Sequence, residues 1–165
     1  MAGAAIIGAG PGIGRSVARR FAREGLPIAL IARRAATVDA VAATIAPYGV
    51  PVVTSTADCT DEAALRSALD TVSAELGVPD VVVYNAAMIQ PDTVGQVSTR
   101  AHQDAWTVNV VGALTAASHV APAMAERGSG SFIVTGGMPE PKREYVSLSL
   151  GKAGVRTLVD LLHLE

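Results

Sequence analysis

The sequence predicts an α/β fold, a parallel sheet covered by helices on both faces. Short apolar runs alternate along the whole chain with longer segments of helical period. Half of the residues are hydrophobic yet only 4% are aromatic. The core must therefore be made of Ala, Val, Leu and Ile, a mixture that suits strands buried on both faces beneath Ala-rich helices. At 165 residues the chain is long enough to bury a core, and one domain spanning 1–165 is expected.

Taken in order, Ala4 to Ile7 reads as a strand and Gly12 to Glu24 as a helix. Val17, Ala18, Phe21 and Ala22 lie on one face of that helix, and Gly25 stops it. Ile28 to Ala32 is the second strand, followed by a helix from about Thr37 to Ala46 that Pro47 and Gly49 close. Val50 to Thr56 is the third strand. Thr60 has the character of an N-cap, with Asp61 and Glu62 in a first turn where acids favour the helix dipole, and that helix ends near Gly77. Val81 to Tyr84 forms the fourth strand. A long helix follows over Thr99 to Arg127, in which Pro122 is expected to produce a kink because proline removes a ladder bond. Phe132 to Thr135 is the fifth strand, and a last helix starts near Tyr145 and is still running at Glu165. With no repeats and no low-complexity linker, strict β-α alternation implies the doubly wound class.

Charge and composition narrow the partners. Thirteen basic against fifteen acidic residues leave a net charge of −2, with no basic block to follow a phosphate backbone, which argues against nucleic acid. No uninterrupted apolar run approaches the roughly 18–20 residues of a bilayer span, so no membrane partner is expected and a cytoplasmic protein is. One cysteine, Cys59, cannot close an intrachain disulfide. Three scattered histidines and that cysteine offer no metal-ligand spacing.

The most informative segment is Gly8-Ala9-Gly10-Pro11-Gly12-Ile13-Gly14, which follows an apolar strand and opens a helix. Glycine allows close backbone approach, and the free N–H groups and positive dipole end of the following helix attract an anion. The alternative is a tight strand-to-helix turn without ligand. The spacing, Gly8-x-x-x-Gly12-x-Gly14, resembles that of the short-chain dehydrogenase/reductase family. Further segments resemble it in order: Asp58-Cys59 after the third strand, Tyr84-Asn85-Ala86-Ala87 after the fourth, Asn109-Val110-Val111-Gly112 in the long helix, and Lys152-Ala153-Gly154 in the last helix. The resemblance implies a Rossmann-like fold lacking the family's last strands. It also implies a nicotinamide dinucleotide held by Gly8, Gly10, Pro11, Gly12, Ile13, Gly14, Asp58, Cys59, Asn85, Ala86, Ala87 and Lys152, with Asn109 and Lys152 in catalytic roles. A small carbonyl or alcohol substrate and a homo-oligomer paired through the long and last helices are implied with it. Taken alone, Asn85 is equally a turn cap and Asn109 a partner for a helix carbonyl.

After the second strand an acid would bind the ribose hydroxyls of NAD, and a basic residue the 2′-phosphate of NADP. Arg33 and Arg34 stand there, which favours NADP, the alternative being two solvated side chains. The catalytic half departs from the family pattern. Gly137 stands at the serine position, and Leu148 stands four residues before Lys152 where the family has a tyrosine. Tyr145 is the candidate replacement, since it shares a helical face with Lys152, although side chains lean toward the helix N-terminus and place it about one turn too far. Cys59 reads as a small buried hydrophobe with nothing cationic beside it, Trp106 as packing, and His102, His119 and His163 as surface or boundary residues without a nucleophile to pair with.

Overall fold

The computed structural model describes residues 3–164. The five apolar runs form strands β1 (Ala4–Ile7), β2 (Ile28–Ala32), β3 (Val52–Thr56), β4 (Val81–Tyr84) and β5 (Ser131–Val134). They pair parallel in the order β3-β2-β1-β4-β5. Between them lie α1 (Ile13–Arg23), α2 (Ala35–Ile45), α3 (Glu62–Leu76), α4 (Thr99–Trp106) and α5 (Gly112–Arg127), and α6 (Val146–Leu164) follows β5. This is the expected doubly wound, Rossmann-like sheet. The expectation for Glu165 lies outside the described residues.

The period-two alternation of strand side chains divides the core in two. Ile6, Ile28 and Leu30 point to the face covered by α1 and α2 through Ala18, Ala22, Val38 and Val41. Ala5, Ile7, Val82 and Tyr84 point to the face covered by α3, α5 and α6 through Leu65, Leu69, Ala113, Ala116 and Val155. Each fully buried Ile or Leu contributes about 1.5–3 kcal/mol. The small residues of α5, among them Ala113, Ala116 and Ala117, are fully covered and let this helix approach the sheet closely.

The register brings the strand ends level. Ile7 pairs with both Ile31 and Tyr84, Ala32 with Thr56, and Tyr84 with Val134. Gly8, Arg33, Ala57, Asn85 and Thr135 therefore all leave the sheet at one edge. The strand order reverses between β1 and β4, and a crevice at such a reversal is where open α/β sheets bind ligands.

Several local expectations are corrected. The cap of α3 is Asp61, whose side chain accepts the Ala64 N–H at 3.0 Å; Thr60 is instead held by Asp58. The long helix does run from residue 99 to 127, and α5 continues through Pro122. Its departure from α geometry falls at 107–111, a π-helical turn in which the Gly112 N–H reaches back five residues to the Thr107 carbonyl. By length and a mean hydropathy of 1.3 this helix would cross a bilayer, but half of that stretch is buried inside the protein, as in a core helix. Among the described residues β5 pairs only with β4, and Ile133 is left 44% exposed on it.

Candidate functional site

The glycine loop divides by function. Gly8 has φ +86°, and a Cβ there would lie 2.4 Å from the Ala86 nitrogen; a Cβ at Gly14 would lie 2.4 Å from the Gly8 carbonyl oxygen. These two glycines allow the loop to close against β4 and α1. Gly10 and Gly12 have open space over their backbones, with no heavy atom within 4 Å of a Cβ. The loop is fixed from behind, where the N–H groups of Gly8 and Ala9 donate to the Ile31 carbonyl at 2.9 and 3.1 Å and Gly10 donates to the Gly8 carbonyl at 2.8 Å. Gly12 caps α1 without a side-chain acceptor and the Arg15 N–H donates to the Gly10 carbonyl at 2.9 Å, which leaves the N–H groups of Ile13 and Gly14 at the positive dipole end of the helix.

Over the loop lies a cavity of about 940 Å³. Of the predicted cofactor residues, Gly8, Gly10, Pro11, Arg33, Arg34, Asp58, Cys59, Asn85, Ala86 and Ala87 line it together. Gly12, Ile13 and Gly14 stand beside it at the start of α1 and do not line it. Arg33 and Arg34 are exposed at its rim. Asp58 accepts the Thr60 N–H at 2.9 Å and its hydroxyl at 2.8 Å. The Thr60 N–H, with a smaller contribution from the nearby Arg33 guanidinium, holds the Asp58 carboxyl below its ordinary value. Cys59 is half-buried in the wall, and burial pushes its thiol up. Arg33 is close enough to act on it, which corrects the expectation that nothing cationic stands nearby, but burial outweighs that attraction.

The β4 end is locked to the long helix. Asn85 donates from Nδ2 to the Gly8 carbonyl at 2.9 Å, tying the β4 turn to the glycine loop. Asn109, buried in the π turn, accepts the Met88 N–H at 2.9 Å and donates to the Met88 carbonyl at 3.2 Å. The π geometry turns the Gly112 N–H away from the Val108 carbonyl, and the Tyr84 hydroxyl donates to that oxygen at 2.6 Å. Burial raises the Tyr84 pKa far above the ordinary tyrosine value. A side chain at Gly112 would strike this hydroxyl, at 2.2 Å.

The three catalytic candidates do not come together in the cavity. Asn109 and Tyr145 line neither that cavity nor a second one of about 300 Å³, whereas Lys152 lines the second, with Gly136, Gly137 and Arg156. Lys152 is buried and donates to the Thr135 carbonyl at 2.7 Å, and desolvation lowers its pKa. Tyr145 lies just before α6, its backbone held in a bridge with Asp92. Leu148 is buried and lines neither cavity. Gly137 has φ +140°, a conformation that disfavours a serine there.

Sequence reasoning missed three features. Arg100, Asp104, Thr107 and Val108 form one wall of the large cavity. Their i, i+4, i+7, i+8 spacing on the helix of Asn109 was the available signal. Asp92, buried and remote in sequence, caps α6 by accepting the Ser147 N–H at 3.1 Å. His102 does pair with a hydroxyl, its Nδ1 lying 3.1 Å from Ser147 Oγ, and His119 pairs with Asp70 at 2.9 Å. No metal-binding cluster of His, Cys, Asp or Glu occurs among the described residues.

The family model described as short chain dehydrogenase matches residues 3–165. The chain is 36% identical over 129 residues to a probable oxidoreductase, EphD, of Mycobacterium tuberculosis, covering 78% of this chain and 22% of that protein. It is 27% identical over 162 residues to the 2,3-dihydro-2,3-dihydroxybenzoate dehydrogenase of Bacillus subtilis, covering 97% of this chain and 62% of that one. The chain thus spans less than two thirds of either relative. Among solved structures, an alcohol dehydrogenase from the archaeon Thermococcus sibiricus, complexed with 5-hydroxy-NADP, superposes with a TM-score of 0.91 at 25% identity, covering 98% of this chain and 70% of that one. A match over nearly the whole length, together with the glycine loop at the strand-order reversal, makes this chain a member of the short-chain dehydrogenase family of oxidoreductases.

Proposed function

We propose that the chain binds NADP and moves hydride between its nicotinamide and the carbon of a small carbonyl or alcohol, with an altered set of proton-handling groups. The carrying observation is the open backbone of Gly10 on the same cavity as two arginines, with Gly12 beside it at the start of α1 and no acid directly after β2. A volume of about 940 Å³ suits a dinucleotide. The loop and the start of α1 would hold the diphosphate, Arg33 and Arg34 the 2′-phosphate, and Asp58 and the Asn85–Ala87 turn the adenosine side. Bound there, the nicotinamide would supply the hydride. The 5-hydroxy-NADP complex of the archaeal relative supports the choice of cofactor.

A second reading is a protein that binds NADP without turnover. It draws on Gly137 and Leu148, which leave neither a hydroxyl nor a phenol where the family handles its proton. A homodimer through the long helix and α6, in the cytoplasm, completes the proposal; Trp106, Leu114 and Leu150 are exposed apolar residues on these helices.

The test is calorimetric titration of NADPH and NADH into the protein and into Arg33→Glu. A charge-assisted hydrogen bond is worth about 1.5–3 kcal/mol, so NADPH should bind the variant roughly one to two orders of magnitude more weakly while NADH holds or improves. Equal affinity for the two cofactors in the unaltered protein would sink the assignment. NADPH consumption across a panel of aldehydes and ketones separates the two readings.

A further inference from the structure

The α4 wall of the large cavity carries two opposite charges. Arg100, Asp104, Thr107 and Val108 follow one face of α4 into the π turn, and all four line the cavity. Val108 is apolar, and the Thr107 hydroxyl donates back to the Gln103 carbonyl at 2.8 Å. Arg100 and Asp104 are therefore the groups of this wall that can answer a charge on a ligand. Arg100 Nε lies 2.9 Å from Asp104 Oδ1, with the two side chains 84% and 48% exposed.

Arg100 is placed against local helix electrostatics. It is the second residue of α4, whose first turn holds no acid, so this cation faces the positive end of the helix dipole. It also precedes its acidic partner, the less favourable order for an i, i+4 pair, and exposed pairs of this kind contribute little to stability. A local rule broken without a gain in folding is the pattern of a residue placed for a ligand. Where the wall begins decides which part of the ligand it meets. A Cβ at Gly112, one turn beyond Val108, would lie 2.9 Å from the Cys59 carbonyl oxygen, so the wall rises from the Asp58–Cys59 segment that follows β3. Arg100 stands roughly 12 Å along the helix from Val108, at about 1.5 Å per residue. Arg33 approaches the same segment from the end of β2, and its charge acts on both Asp58 and Cys59. The two guanidiniums thus flank the adenosine side of the cavity from different elements.

We propose that Arg100 is a further guanidinium for the 2′-phosphate of NADP, held off that group by Asp104 until the phosphate displaces the carboxylate, an inference that rests on the cofactor reading above. Binding exchanges one exposed ion pair for a contact between a guanidinium fork and a doubly charged phosphate, which is the stronger of the two. Once Arg100 turns away, Asp104 is an unpaired carboxylate on the cavity wall and repels the incoming anion. Asp104 therefore limits the affinity, while Arg100 adds to the preference for the phosphorylated dinucleotide. NADH carries a hydroxyl in place of the phosphate and leaves the Arg100–Asp104 pair intact.

The test is titration of NADPH and NADH into the unaltered protein, Arg100→Gln and Asp104→Asn, with thermal melting by circular dichroism to check that both variants fold. Neither side chain is buried, so both should melt with the parent. Arg100→Gln should bind NADPH about tenfold more weakly and NADH within about twofold of the parent. Asp104→Asn should bind NADPH about two- to fivefold more tightly, because the competing ion pair is gone, again with little change for NADH. An Arg100→Gln protein that keeps its NADPH affinity, or that loses NADPH and NADH equally, overturns the proposal. Weaker NADPH binding by Asp104→Asn overturns it too, since the carboxylate would then be a ligand for the cofactor rather than a competitor. Loss of NADPH preference in Arg33→Glu but not in Arg100→Gln removes this inference alone, whereas equal affinity for the two cofactors in the unaltered protein removes the cofactor reading with it.

Discussion

Replacing individual glycines of the loop by alanine should separate folding from binding. At Gly8 the new methyl group would lie 2.4 Å from the Ala86 nitrogen, and φ +86° already disfavours a side chain. Left-handed backbone costs about 1–2 kcal/mol and overpacking against rigid neighbours about 1–3 kcal/mol, together about 2–5 kcal/mol. A domain of this size loses about 2–4 °C of Tm per kcal/mol, so Gly8→Ala should melt roughly 4–20 °C below the parent. At Gly12 the backbone has φ −91° and nothing stands within 4 Å of the added carbon. Stability there should fall by less than at Gly8, because no clash accompanies the added carbon. The same methyl group occupies the space over the start of α1, where one or two charge-assisted bonds to a phosphate would be lost at about 1.5–3 kcal/mol each. NADPH affinity of Gly12→Ala should fall at least about tenfold. Thermal melting by circular dichroism without cofactor, followed by fluorescence titration with NADPH, reads both quantities. A Gly8→Ala protein that melts with the parent would refute the packing argument, and a Gly12→Ala protein that binds NADPH as tightly as the parent would refute the binding argument.

Two further substitutions test the supports of the site. Tyr84→Phe removes the donor to the Val108 carbonyl at 2.6 Å, which should cost about 1–3 kcal/mol in urea unfolding. Because burial raises the Tyr84 pKa, its neutral form stabilises the fold below the ordinary tyrosine value of about 10, and that contribution is lost as pH rises above it, where the unfolded chain ionises first. Tyr84→Phe should therefore lose stability less steeply than the parent above that pH, and parallel alkaline limbs would contradict the assignment. Asp92→Ala removes the cap at Ser147 and should cost about 0.5–2 kcal/mol, with Asp92→Asn intermediate because its carbonyl oxygen still accepts. Unchanged unfolding midpoints in Asp92→Ala would mean that α6 is held without it.

Much of this architecture is local in origin and so is written in local sequence. Ile28 to Ala32 and Val81 to Tyr84 are apolar runs too short for helices, and each became the strand its pattern required. The glycine loop was legible for the same reason, since backbone freedom at Gly8 is a property of the residue itself. Arg33, Asp58 and Asn85 were readable because parallel strands of level register deliver the residues after each strand to one edge.

What only the tertiary structure decided depends on partners distant along the chain. The turn of π-helix at 107–111 is stabilised by Tyr84 from another element, and no helical period announces it, which is why the break was expected at Pro122 instead. The start of α6 is set by Asp92, 55 residues before Ser147, a contact that no spacing rule contains. Where the Lys152 amine lies was equally invisible. Its helical position was plain, but its burial and its bond to the Thr135 carbonyl arise only when α6 packs beside the end of β5. Periodicity specifies which face of an element is apolar; which buried polar group meets which partner is settled by packing, because an unpaired one costs too much to leave inside.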